Sequence, residues 1–193
     1  MKPIRDYYFI RVEKTHEDTI IINDKELYMD TSFEDMKHAR QYGTVVAVPT
    51  TLSFGLKMDI KEGDKVYCHH FLISEENRVK YHEEENIFKI RCDAIYARVR
   101  KGKLKMLNHW NFVEQKKEDK DNYISKSGIY LKPAREDKEF YGYIRHLNKE
   151  MKEWGAKVGD EVIFSENSEY DMNIEGEKLL RMRNIDILAK IER

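Results

Sequence analysis

The sequence predicts an all-β protein built as two tandem units. The same ordered set of short segments occurs twice, the segments are rich in β-branched and aromatic residues, and no long stretch keeps the apolar spacing of a helix. In the first half, Gly43-Thr44-Val45-Val46-Ala47-Val48-Pro49 precedes Ile60-Lys61-Glu62-Gly63-Asp64-Lys65-Val66. In the second, Gly142-Tyr143-Ile144-Arg145-His146-Leu147 precedes Ala156-Lys157-Val158-Gly159-Asp160-Glu161-Val162-Ile163-Phe164. Each half closes alike, with Ile87-Phe88-Lys89-Ile90-Arg91 before Ala94-Ile95-Tyr96-Ala97, and Leu179-Leu180-Arg181-Met182-Arg183 before Asp186-Ile187-Leu188-Ala189.

Taken in chain order, Tyr7-Tyr8-Phe9-Ile10-Arg11-Val12 is an opening strand of β-formers with a charge placed outward. Gly43 and Pro49 bound a short buried strand. The two Lys-x-Gly-Asp stretches read as turns, with glycine supplying positive φ. Two short helices are expected inside connections: one over 33–40, with Thr31 or Ser32 as its cap, and one over 147–154, stopped by Gly155. The basic stretch 100–105 reads as a short linker, and Leu107-Asn108-His109-Trp110-Asn111-Phe112-Val113 restarts the opening pattern. The expected units are therefore 1–100 and 101–193.

Composition narrows the function. Lys and Arg total 35 against 36 Asp and Glu, for a net charge of −1, which gives no electrostatic case for nucleic acid, where binding needs clustered excess cation. Apolar stretches fall far short of a membrane span, and the first residues carry no apolar signal region, so the expected location is the cytoplasm, without membrane association. Two cysteines, Cys68 and Cys92, make no disulfide framework.

Two charged, weakly apolar segments follow the opening strand of each unit, about 14–42 and about 115–140, and are read as mobile loops. Each holds one apolar triplet: Ile20-Ile21-Ile22 in the first, and Ile129-Tyr130-Leu131 after Gly128 in the second. A lone triplet would be read as an ordinary hairpin strand packed on its own domain. A triplet at the corresponding place in both units points to something outside the chain.

The order of opening strand, charged loop with Gly-Ile-x-Leu, Gly-x-Val-x-Ala-Val, Lys-x-Gly-Asp-x-Val and terminal Asp-Ile-Leu-Ala resembles the chaperonin-10 (GroES) co-chaperonins, as a tandem of two copies over essentially the whole chain. The second copy is nearer the pattern. The first has a longer loop before Gly43, and Ala94 stands where the second copy has Asp186. The resemblance implies two GroES-like partly open β-barrels, each with a mobile loop. It also implies self-association into a ring that caps the chamber of a large, GroEL-like ATP-dependent chaperonin and assists protein folding. Binding would fall to Ile20, Ile21, Ile22, Ile129, Tyr130 and Leu131, seated in apolar grooves of the partner's apical domains. The outer two residues of each triplet would be the anchors, because the middle one points the other way in a strand.

The same resemblance implies pairing between first and last strands of neighbouring units. Residues 95–99 are then expected to pair with 110–113 inside one chain, leaving 9–12 and 187–191 for neighbouring chains, head to tail. Two-unit chains give an even number of units, so three chains, four chains or a mixed ring remain open against a seven-fold partner. The roof hairpin between the Val-x-Ala-Val strand and the Lys-x-Gly-Asp turn reads as short or absent, as in phage-encoded co-chaperonins.

No cofactor or metal is expected. Cys68-His69-His70, with His82 and Cys92, offers ligand atom types without paired ligand spacing, and reads as loop and strand surface. His109 and His146 read as isolated surface or core histidines. No phosphate-binding glycine loop and no nucleophile arrangement occurs, so an enzyme is not expected. The alternative function is a tandem β-barrel adaptor or virion-associated protein that no longer binds chaperonin.

Overall fold

A computed structural model of the chain describes residues 2–13, 19–22, 25–28, 40–53, 58–79, 86–116, 140–168 and 170–192. They fall into two compact units, 1–109 and 110–193. The first contains β1 (Tyr7–Arg11), β2 (Thr19–Ile22), β3 (Lys25–Tyr28), β4 (Tyr42–Ala47), β5 (Lys65–Cys68), β6 (Ile87–Arg91), β7 (Ile95–Arg100) and β8 (Lys103–Met106). The second contains β9 (Trp110–Gln115), β10 (Tyr141–His146), helix α1 (Lys149–Glu153), β11 (Glu161–Phe164), β12 (Asp171–Ile174), β13 (Glu177–Arg183) and β14 (Ile187–Lys190).

Each unit is one open six-stranded antiparallel sheet, ordered β6-β1-β4-β5-β7-β8 in the first and β12-β13-β9-β10-β11-β14 in the second. Five neighbours run identically once β6-β1-β4-β5-β7 is set against β13-β9-β10-β11-β14. The irregularities repeat as well. One register shift falls between Phe9 and Ile10 on β1 and between Ile144 and His146 on β10, opposite Phe112. Another falls between Tyr67 and Cys68 against β7, and between Ile163 and Phe164 against β14. Bulges re-aim a strand at a fixed place, so matched bulges mean matched curvature.

The Lys-x-Gly-Asp turns show why those residues are needed. Asp64 accepts the Lys61 N–H at 2.8 Å, and Asp160 accepts the Lys157 N–H at 2.8 Å. Gly63 (φ 84°) and Gly159 (φ 91°) take the left-handed conformation that a side chain disfavours. Their N–H groups donate to the carbonyls of Val45 and Ile144, both at 2.8 Å.

The cores differ in kind. In the first unit Tyr8, Ile10, Val12, Val45, Val66, Cys68, Phe88, Ile90 and Cys92 form an apolar cluster. Register places Tyr8 opposite Ile90 and Asn111 opposite Met182, so a tyrosine in one unit answers an asparagine in the other. Burial and the nearby Cys92 push the Tyr8 hydroxyl up to about 12, and burial does the same to the Cys68 thiol. The second unit buries Val113, Ile144, Phe164, Leu180 and Met182 beside a polar knot of Asn111, Asn148 and Asn184. Asn111 donates to Asn184 (2.8 Å), Asn148 donates to Asn184 (2.5 Å), and the Asn148 N–H donates to Asn111 Oδ1 (3.0 Å). Asn148 also caps α1, accepting the Met151 N–H at 3.0 Å, and Gly155 (φ 90°) follows the helix. The expected helix over 147–154 is thus present, while the one expected over 33–40 lies almost wholly outside the described residues.

Three expectations are corrected. Stretch 100–105 is a hairpin rather than a linker: Lys101 (φ 51°) and Gly102 (φ 70°) form a two-residue turn that folds β8 back on β7. Residues 95–99 do not pair with 110–113, because β7 is flanked by β5 and β8, and β9 by β13 and β10. Residues 9–11 are not left for a neighbour either, since β1 is paired on both sides. Among the described residues, neither the β4–β5 nor the β10–β11 connection contains a hairpin, and no helix is long and apolar enough to cross a membrane.

Candidate binding loops and sheet edges

The first loop leaves the sheet after β1 and re-enters at β4, which are neighbours, so its two ends are held close together. Gly43 permits this approach: a Cβ there would lie 2.8 Å from the Arg11 carbonyl oxygen and 2.8 Å from Ile10 Cδ1. Gly142 has the same place in the second unit, where a Cβ would lie 2.6 Å from the Glu114 carbonyl oxygen. Aromatic rings under cations mark both roots. Arg40 donates to the Tyr42 hydroxyl (2.9 Å), and Lys65 sits 4.1 Å from the centre of the Tyr42 ring. Lys116 lies over the Tyr143 ring and pairs with the buried Glu161.

Ile20, Ile21 and Ile22 stand in β2. They pair with β3 in the register Thr19↔Tyr28, Ile20↔Leu27, Ile21↔Glu26 and Ile22↔Lys25. This hairpin is a sheet of its own and joins neither six-stranded sheet. Ile129, Tyr130 and Leu131 lie outside the described residues.

The edge strands β8 and β14 are unlike. β8 covers β7, and the Leu107 N–H donates to the Tyr96 carbonyl at 2.8 Å, leaving Tyr96 only 4% exposed. β14 is an outer strand of its sheet, and Leu188, the counterpart of Tyr96, is 62% exposed, with Ile185 nearby at 76%. Lys103 and Lys105 are exposed along β8, a common guard on an open edge.

An ionic clasp ties β7 and β8 to the Lys-x-Gly-Asp turn. Arg100 bonds both Asp64 oxygens at 2.7 Å, and Asp59 receives Arg98 (2.6 Å), Arg100 (3.0 Å) and Lys105 (3.0 Å). Hydrogen bonds from Arg98, Lys105 and Arg100 hold the Asp59 carboxyl well below the usual carboxylate range. Burial pushes Asp64 up, but the Arg100 guanidinium and the Lys61 N–H outweigh it and leave the carboxyl lowered. In the second unit Asp186 takes the Arg183 guanidinium and backbone N–H, while in the first Arg91 turns to Asp93 because Ala94 has no carboxylate.

The residues read for metal separate. Cys68 and Cys92 are core residues rather than surface, His82 lies outside the described residues, and His69, which caps a short 3-10 turn, stacks on both His70 and Phe71. No group of three metal-ligand side chains gathers among the described residues. His146 is half-buried against the Phe112 ring, and burial lowers its pKa.

A family profile described as "Chaperonin 10 Kd subunit" matches residues 103–191. A protein of Kosmotoga olearia described as "Co-chaperonin GroES" is 30% identical over 73 residues, which cover 38% of this chain and 82% of that protein. The chain belongs to the chaperonin-10 family. That is a family of co-chaperonins and not of enzymes. The profile begins at Lys103 and so includes β8, which pairs inside the first sheet.

Proposed function

We propose that this chaperonin-10 protein is a tandem co-chaperonin: its first unit is a second copy of the family domain, and its chains assemble into a ring that caps the folding chamber of a GroEL-like chaperonin. Ile20, Ile21 and Ile22, together with Ile129, Tyr130 and Leu131, seat in apolar grooves of the partner's apical domains. The observation that carries this reading is the placement of the Ile20–Ile22 triplet in a hairpin that belongs to neither body sheet. Burying an isoleucine contributes roughly 1.5–3 kcal/mol, while fixing backbone costs roughly 1–2 kcal/mol per residue, so one loop holds weakly and releases readily. Several loops on one ring act together through effective concentration. ATP chemistry belongs to the partner.

Ring closure uses β14. Its free side receives the segment preceding β1 of the next chain, which presents Ile4, much as β8 sits on β7. Leu188→Lys is expected to convert the ring to single chains in native mass spectrometry while leaving the fold intact, and an unchanged ring would remove β14 from the joint.

The test of the lid itself is the double variant Ile20→Asp with Ile129→Asp, mixed with a large bacterial chaperonin and ATP. Loss of the capped complex in native mass spectrometry is the expected result. A capped complex of undiminished yield would overturn the reading in favour of an adaptor that has lost chaperonin binding.

A further inference from the structure

We propose that the first loop grips with both strands of its hairpin, and that Leu27 on β3 is a third anchor beside Ile20 and Ile22. The proposal rests on the lid reading and names a residue that the triplet alone does not.

In an antiparallel pair, residues directly opposite share a face, and the face alternates along each strand. The register Ile20↔Leu27 and Ile22↔Lys25 therefore puts positions 20, 22, 25 and 27 on one face. Positions 19, 21, 26 and 28 make the other, carrying Thr, Ile, Glu and Tyr. The first face holds three aliphatic residues and one lysine. The second holds a single aliphatic residue beside an acidic and two hydroxyl side chains.

Two anchors on one strand span about 6–7 Å, and a directly opposite position adds a third about 5 Å to the side. The footprint is a triangle, which needs a groove broad enough for a two-stranded ribbon. Lys25 lies at the turn end of the same face, so the matching groove is apolar with an acidic rim at that end. A hairpin of two four-residue strands is marginal alone in water, and a partner that buries its apolar face supplies the missing stabilisation.

The test uses the full chain and three substitutions: Leu27→Thr, Tyr28→Thr and Ile20→Asp. Threonine keeps strand propensity while removing the apolar body, so the first two variants separate face from hairpin stability. Affinity for a large bacterial chaperonin with ATP is measured beside the thermal unfolding midpoint. Leu27→Thr should weaken binding about tenfold or more, approaching Ile20→Asp, with an unchanged midpoint. Tyr28→Thr should stay within about threefold of the unaltered protein. If Ile20→Asp weakens binding and Leu27→Thr does not, the two-stranded grip is wrong while the lid reading stands. If Leu27→Thr lowers the midpoint instead, that face packs on the protein itself and the proposal falls. If no substitution affects binding, the lid reading fails and takes this inference with it.

Discussion

Asn111→Ala probes the polar knot of the second unit. Asn111 is fully buried, and its side chain both accepts the Asn148 N–H (3.0 Å) and donates to Asn184 Oδ1 (2.8 Å). Removing it leaves a buried backbone N–H without its acceptor and takes one of two donors from Asn184. Orphaning the amide costs about 1–3 kcal/mol and losing the second bond about 1 kcal/mol, for a total of about 2–4 kcal/mol. Both tryptophans, Trp110 and Trp154, lie in the second unit, so their fluorescence in a urea titration reports that unit alone. For a domain of this size, that loss lowers the midpoint by about 2 M. A double-mutant cycle with Asn184→Ala should show coupling above about 0.5 kcal/mol, since the two side chains are bonded to each other. A single-variant loss below about 0.5 kcal/mol would refute the view that the knot holds the β9, α1 and β13 segments together.

Other outcomes follow from close contacts and charge. Gly142→Ala sets a Cβ 2.5 Å from Val113 Cγ1 and 2.6 Å from a carbonyl oxygen that cannot swing away, and should cost about 1–3 kcal/mol in urea unfolding. The lowered folded-state values of Asp59 and Asp64 contribute stability that is present above the unfolded carboxylate value of about 4 and is lost as pH falls through the folded values. Arg100→Met leaves burial dominant at Asp64 and raises its folded value, so this carboxyl no longer loses stability on acidification: the acid limb of a pH–stability profile should become shallower, and an unaltered limb would show that Arg100 does not hold that carboxylate down.

Much of the fold could be read from residues in sequence. The Lys-x-Gly-Asp turns are local: the Asp reaches back three residues and the Gly supplies the positive φ, so their spacing is their geometry. The triplet Ile20-Ile21-Ile22 was visible because aliphatic residues stand out in a charged stretch. β8 was not, because Lys103-Leu104-Lys105-Met106 has the composition of a linker and becomes a strand only by pairing with β7. The asparagine knot left no periodic trace, since its three members lie far apart in the chain and meet only when the sheet forms. Leu27 is similar: it reads as an ordinary loop residue until the hairpin register sets it opposite Ile20.

The edge strands β8 and β14 differ in what stands beside them. The edge at β8 is lined by Lys103 and the Asp59-paired Lys105, whereas the edge at β14 lies beside exposed Leu188 and Ile185. An exposed strand edge beside two large apolar side chains is a place where an unintended strand can add, so an unassembled chain at high concentration is the form to watch for fibrous association. The proposed ring would cover that edge and take it out of reach of stray strands.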